Sequence, residues 1–215
     1  MKSKSVGTLL IAFGILMILA AALLVGYNLW DNIRADQSAQ QVLLDLSVSP
    51  AQGPAGKSAD IASPALPSEA DDIPPHILNP DLAMPETLIS GVAYIGILEI
   101  PDLNLVLPIA SQWNPNTART APCRYAGSVY SNDMVVAGHN YQKHFGKLPS
   151  LPMGTLLRFI DIEGNAFFYE ILECETVQAT DIDGMCTGEW DLTLFTCTVG
   201  GHARFAIRCS LVEEQ

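Results

Sequence analysis

Positive charge is scarce in this chain: Lys and Arg number 11 against 23 Asp and Glu, for a net charge of −12. A surface of that sign repels polyphosphates, so nucleic acid is excluded as a partner. No internal repeat is visible, which excludes a repeat architecture. No pair of histidines or cysteines has convincing zinc-ligand spacing, so no metal site is assigned. The five cysteines (Cys123, Cys174, Cys186, Cys197 and Cys209) are an odd number and form no dense disulfide framework. Mostly reduced, buried thiols are expected.

Charge of either sign is missing from Val6 to Tyr27. As a helix at about 1.5 Å per residue, such a run reaches across a hydrocarbon core of about 30 Å. No small-residue cleavage site follows it, so an uncleaved anchor is read in preference to a signal peptide. Lys2 and Lys4 precede the run and Asp31 and Asp36 follow it, which predicts a cytoplasmic N-terminus and an extracellular remainder. Residues 1–30 are thus expected to be a stub and a single transmembrane helix attaching the chain to the membrane.

Residues 31–89 read as a helical extension and a tether. Val42, Leu43 and Leu46 form a short apolar stripe. Eight of the 14 prolines then fall between Pro50 and Pro85, in a stretch also rich in Ala, Ser and acid. That composition buries too little apolar surface to offset its ordering entropy. Its end, "PPHILNPDLAMP", is read as a stalk rather than a lid.

Residues 90–215 change character. "GVAYIGILEIPDLNLVLPIA" reads as two strands about a turn, and "DMVVAGHN" as a strand ending in a turn. Glu163-Gly164-Asn165 and "VGGH" mark two hairpins. Seven or eight short strands with little helix predict a mainly β fold, a closed or nearly closed barrel.

Cysteine chemistry needs a thiolate, a partner that exchanges a proton, and donors for the developing oxyanion. Cys197 ends the buried run "DLTLFTC" and precedes the Gly200-Gly201 turn. His139 directly follows a buried strand, where a rigid scaffold can hold it. His76 lies in the tether, and His144 and His202 are read as solvated. Alternation along "ARFAIRC" puts Arg204 and Arg208 on one face, and the hairpin sets Arg204 nearly opposite Cys197. Arg204 is therefore the candidate cation, and Arg208 is read as a surface residue.

These residues resemble the sortases, cysteine transpeptidases of bacterial cell surfaces. "LTLFTCT" is similar to the family's Thr-Leu-x-Thr-Cys signature, and "AGHN" before "HFGKL" to its histidine region. Arg204 fits the family's arginine, and "YIGILEIPDLNLVLPI" its opening strands. The resemblance, over roughly residues 92–212, implies an eight-stranded sortase-like β-barrel with the site at one end. It implies that Cys197 attacks the Thr-Gly carbonyl of a Leu-Pro-x-Thr-Gly-like sorting signal and forms a thioester. An amine of peptidoglycan, or of a pilin lysine, then resolves it. His139 handles the protons, Arg204 donates to the substrate carbonyl, and Thr196 helps shape the groove. No cofactor is implied, although some sortases bind calcium through carboxylates. Glu170, Glu173, Glu175, Asp181 and Asp183 are the candidates here, against a plain acidic surface. Without a second apolar segment after "SLVEEQ", wall anchoring is favoured over pilus assembly.

Two other readings compete. L,D-transpeptidases place a histidine two residues before the cysteine, where this chain has Phe195. A non-catalytic membrane-tethered barrel would simply bury its thiols.

Overall fold

A computed structural model describes residues 2–48, 74–186 and 188–213. Most of the expected tether, from residue 49 to 73, lies outside the described residues. Helix α1 runs Lys2–Val48, and a four-residue helix α2 spans Pro75–Leu78. The strands are β1 (Thr87–Ile89), β2 (Val92–Ile100), β3 (Leu105–Ala110), β4 (Cys123–Ala126), β5 (Met134–Gly138), β6 (Leu156–Asp161), β7 (Ala166–Gln178), β8 (Leu192–Cys197) and β9 (Ala203–Val212). A short helix α3, Ile182–Cys186, lies between β7 and β8.

The sheet runs β1-β2-β3-β4-β5-β8-β9-β7-β6 and is closed by pairing of β6 with β2. Strands β2 to β9 therefore form an eight-stranded barrel, with β1 added outside on β2. Two pairings, β3 with β4 and β5 with β8, are parallel and the rest antiparallel, so the barrel is mixed. Every residue of β5, and all of β8 except Cys197, is buried. Both faces of these two strands are covered, which is why their sequences are continuous apolar runs rather than alternating ones.

The inner face holds Met134 and Val136 of β5, Leu192 and Leu194 of β8, and Ile207 and Cys209 of β9. An outer cluster of Val135, Ala137, Phe195 and Ala206 is capped by Met185 of α3. Each fully buried aliphatic side chain contributes about 1.5–3 kcal/mol, so the two layers fix which way each strand faces.

The expected membrane anchor is overturned. Among the described residues, no helix is long and apolar enough to cross a membrane. The side chains of residues 6–10 lie outside the description. The single-pass topology, the membrane as partner and the extracellular placement all rested on that anchor and fall with it. Further along α1, Ala39 is buried in the main core and Val42 packs on a second cluster around Tyr94 and Ala110.

The stalk reading of residues 74–85 is also corrected. His76 stacks on Tyr130 at 4.5 Å and 9°, and lies 5.5 Å from Phe167. The Tyr130 hydroxyl donates to Asp161 Oδ2 at 2.7 Å. Met84 inserts into the main core. Apolar and aromatic anchors thus strap this segment to the barrel, at the end where β5 begins and β6 stops.

Candidate active site

The opposite end of the barrel brings three side chains onto one row. In the parallel β5–β8 pair, Gly138 lies beside Thr196. His139 directly follows Gly138, as Cys197 follows Thr196. In the antiparallel β8–β9 pair, Cys197 lies opposite Arg204. Neighbouring strands are about 4.8 Å apart, so β5, which leads into His139, and β9, which carries Arg204, lie on either side of the strand that ends at Cys197. Alternation puts Cys197 on the outer face with Phe195, and Arg204 there with Ala206. Cys197 and His139 are both half-buried.

The β8–β9 turn holds this pairing. Gly200 and Gly201 take φ of 88° and 75°, a region L side chains avoid. The Thr198 amide donates to the Ala203 carbonyl at 3.0 Å, and the Gly201 amide to the Thr198 carbonyl at 2.8 Å. Arg204 Nη1 donates to the carbonyls of Gly201 at 3.2 Å and Ala203 at 3.1 Å. The guanidinium therefore rests on its own turn.

The His139 loop is tightly built. The imidazole stacks on Tyr141 at 5.0 Å and 28°, and Tyr141 in turn lies 5.5 Å from His144. The Tyr141 carbonyl accepts from the amides of His144 and Gly146, and the His139 carbonyl from the amide of Phe145. His144 is fully buried, not solvated as its polar neighbours suggested. His202 is exposed, as expected.

Arg208 is not on the surface either; it is 2% exposed. Its guanidinium reaches Glu175, Thr193 and the α3 carbonyls of Gly184 and Met185. Thr196 does not join the row. Its side chain is turned inward and buried, and among the described residues its hydroxyl has no partner.

All five cysteines are unbridged. Burial pushes the Cys123 thiol up to about 11, against an opposing backbone hydrogen bond from Asn114. Cys209 is raised further by near-complete burial. Cys174 is raised by burial and then by Glu173, and Cys186 by burial and then by Asp183. These four are poor nucleophiles, because the thiolate is the reactive form.

Two of the carboxylates considered for calcium have other partners. Glu175 pairs with Arg208, and Asp181 accepts the Gly184 amide at 2.9 Å. Among the described residues no three His, Cys, Asp or Glu side chains converge as a metal site.

Beside the row, aromatic rings continue outward from Phe195. Tyr125 meets Phe195 edge-on at 5.4 Å, and Trp113 meets Tyr125 at 6.2 Å. A cavity of about 380 Å³ opens there between Ser111, Trp113, Arg124 and Tyr125. These rings, Tyr141 and the α3 wall escape sequence reading, because only the strand order makes them neighbours.

Residues 98–212 match the sortase domain family. The fold is similar to sortase A from Corynebacterium diphtheriae, with a TM-score of 0.53, 19% identity, and coverage of 58% of this chain and 63% of that one. It is also similar to sortase C1 from Streptococcus agalactiae, with a TM-score of 0.52, 22% identity, and coverage of 60% and 72%. At these identities the likeness is one of fold, and the match to the first spans less than two thirds of that protein. No curated protein matches in sequence.

Proposed function

This chain belongs to the sortase family, and from that premise we propose that it is a cysteine transpeptidase acting on a Leu-Pro-x-Thr-Gly-like sorting signal. The observation that supports this most is the row: Cys197 directly opposite Arg204, with the strand that ends one residue before His139 paired on its other side. Nucleophile, proton carrier and oxyanion donor are the three parts that acyl transfer from a peptide requires.

In this mechanism the Cys197 thiolate attacks the Thr-Gly carbonyl carbon, and negative charge moves to the carbonyl oxygen. The Arg204 guanidinium, swung from its turn, donates to that oxygen. The C–N bond then breaks, His139 gives its proton to the departing glycine amine, and a thioester remains on Cys197. An incoming amine, from peptidoglycan or a pilin lysine, attacks the thioester and loses a proton to His139. The C–S bond breaks and the thiolate is regenerated. Half-burial of Cys197 limits competing attack by water, which favours transfer over hydrolysis.

The test is incubation of the purified chain with a peptide library varied around Leu-Pro-x-Thr-Gly and a soluble amine, with products weighed by mass spectrometry. A peptide–amine product formed by the wild type and absent from Cys197→Ala is expected. Equal turnover by Cys197→Ala would remove the proposal.

A further inference from the structure

We propose that Tyr141 is a positioning residue for His139: its ring, steadied by the buried His144 ring, sets the orientation of the imidazole that carries protons. This rests on the transpeptidase reading above. An imidazole at a strand end can turn about χ1, and its χ2 is a broad, two-fold torsion, so the backbone alone does not aim it. A proton carrier has to be held within about 0.5 Å and 10–20° of its working geometry. Gly138 before it has no side chain, and Asn140 after it is exposed. Tyr141, the second residue on, stacks on the imidazole at 5.0 Å with the two planes 28° apart. That separation lies within the range aromatic pairs prefer.

Tyr141 is itself held. Its carbonyl accepts the amides of His144 at 3.0 Å and Gly146 at 2.9 Å, so a closed turn fixes its backbone. The closure is tight: a Cβ on Gly146 would lie 2.5 Å from the Asn140 carbonyl oxygen and 2.7 Å from that of Tyr141. The His144 ring lies 5.5 Å from the Tyr141 ring at 51°. His144 is fully buried, so Tyr141 has a neighbour that does not swing away. Tyr141 and His139 are both half-buried. The order His144, Tyr141, His139 therefore leads from the core to the site, and each ring limits the next.

A ring face suits this task because it orients an imidazole without giving or taking a proton. His139 gives a proton to the departing amine and takes one from the incoming amine. The stack leaves both transfers to His139 and fixes only where they happen.

Two substitutions separate the ring from mere bulk. Tyr141→Phe keeps the face, and Tyr141→Leu keeps an apolar side chain without one. Tyr141→Leu is expected to lower kcat for the preferred sorting peptide about 10²-fold, the loss that follows misplacement of a reacting group by about an ångström. KM is expected to hold, since proton transfer and not peptide binding is touched. Tyr141→Phe is expected to keep the wild-type kcat. The Hε1 resonance of His139, assigned by its loss in His139→Gln, reports the stack without turnover. Ring current from residue 141 should shift it in the wild type and in Tyr141→Phe, and the shift should vanish in Tyr141→Leu. Amide exchange at Phe145, which is bonded to the His139 carbonyl, should stay at the wild-type rate. Wild-type kcat in Tyr141→Leu overturns the proposal, as does a rise in KM in place of the fall in kcat. Faster exchange at Phe145 overturns it too, because that marks a loosened loop. A Tyr141→Phe variant as slow as Tyr141→Leu assigns the effect to the hydroxyl and also overturns it. If Tyr141→Leu does not fold, an unshifted His139 resonance in the wild type, or a loss of kcat in Tyr141→Phe, overturns it instead. Absence of transfer by the wild type would sink the transpeptidase reading, while the resonance still decides whether the stack holds the imidazole.

Discussion

Gly138→Ala tests whether the packing behind His139 fixes its position. A Cβ at residue 138 would lie 2.5, 2.8 and 3.0 Å from Cδ2, Cγ and Cε2 of Phe145. Carbon atoms in contact normally sit about 3.5–4.0 Å apart, so the overlap is about 1 Å. Phe145 is fully buried in the main core and its amide donates to the His139 carbonyl at 3.1 Å. The ring has no empty space to enter, and pushing it drags the His139 loop. Overpacking of this kind costs about 1–3 kcal/mol. In a fold of this size that lowers Tm by about 2–12 °C, at about 2–4 °C per kcal/mol. Displacement of the imidazole by about an ångström further lowers kcat by about 10²-fold. Thermal melts and single-turnover transfer rates measure the two effects separately. Adding Phe145→Leu should return part of the kcat by vacating ring volume. An unchanged Tm together with an unchanged kcat in Gly138→Ala would refute the idea that the strand end is sterically set.

Arg204→Ala is expected to lower kcat/KM by about 10²–10³-fold, the usual loss for one oxyanion donor. Steady-state kinetics check this, and a loss confined to KM would point away from a transition-state role. Iodoacetamide at neutral pH should modify Cys197 well before Cys123 or Cys209, read by peptide mapping, because those two are buried and their thiols pushed up. Alkali should weaken the fold through Cys123. Its folded value of about 11 exceeds the ordinary 9.0, so its contribution is complete below pH 9 and is lost as pH climbs towards 11. The unfolded chain binds fewer protons in that window, which makes the slope negative. Urea midpoints from pH 8 to 11 should fall more gently in Cys123→Ala than in wild type. Asp161→Ala should cost about 3 kcal/mol or more, since one buried carboxylate serves four donors from Tyr130, Glu163 and Asn165.

Strand positions were readable because both kinds of apolar pattern survive in the sequence. "LTLFTC" is buried on two sides and reads as continuous, whereas β9 alternates and so announces its two faces. The Gly200-Gly201 turn made the Cys197–Arg204 pairing predictable from distance along the hairpin. His139 could be singled out only as the end of a buried strand; that its strand lies beside β8 is a property of the barrel order. Arg208 was misread because alternation tells which face a residue is on, not whether another element covers that face. The same limit applies to His144, whose polar neighbours point outward while its ring is enclosed. The anchor was misjudged by treating one apolar run as sufficient. The strap at residues 74–86 was hidden by its prolines, which hint at extension but say nothing of where His76 and Met84 dock.

The row depends on register more than on any single residue. Side chains alternate along a strand, so a one-residue slip of β8 against β5 would turn Cys197 inward and bring Thr196 out. Two devices oppose such a slip on the two sides of β8. On one side, both faces of β5 and β8 are packed, so a slip would bury the Thr193 hydroxyl in the core and expel Leu192 and Leu194 from it. On the other, Arg208 bonds Thr193 and Glu175, fixing β8, β9 and β7 at one level. A polar contact with strict geometry thus reinforces a hydrophobic pattern that tolerates small shifts. Loosening Arg208 while leaving the apolar faces intact would leave Cys197 outside but less well held, with α3 the first element to move.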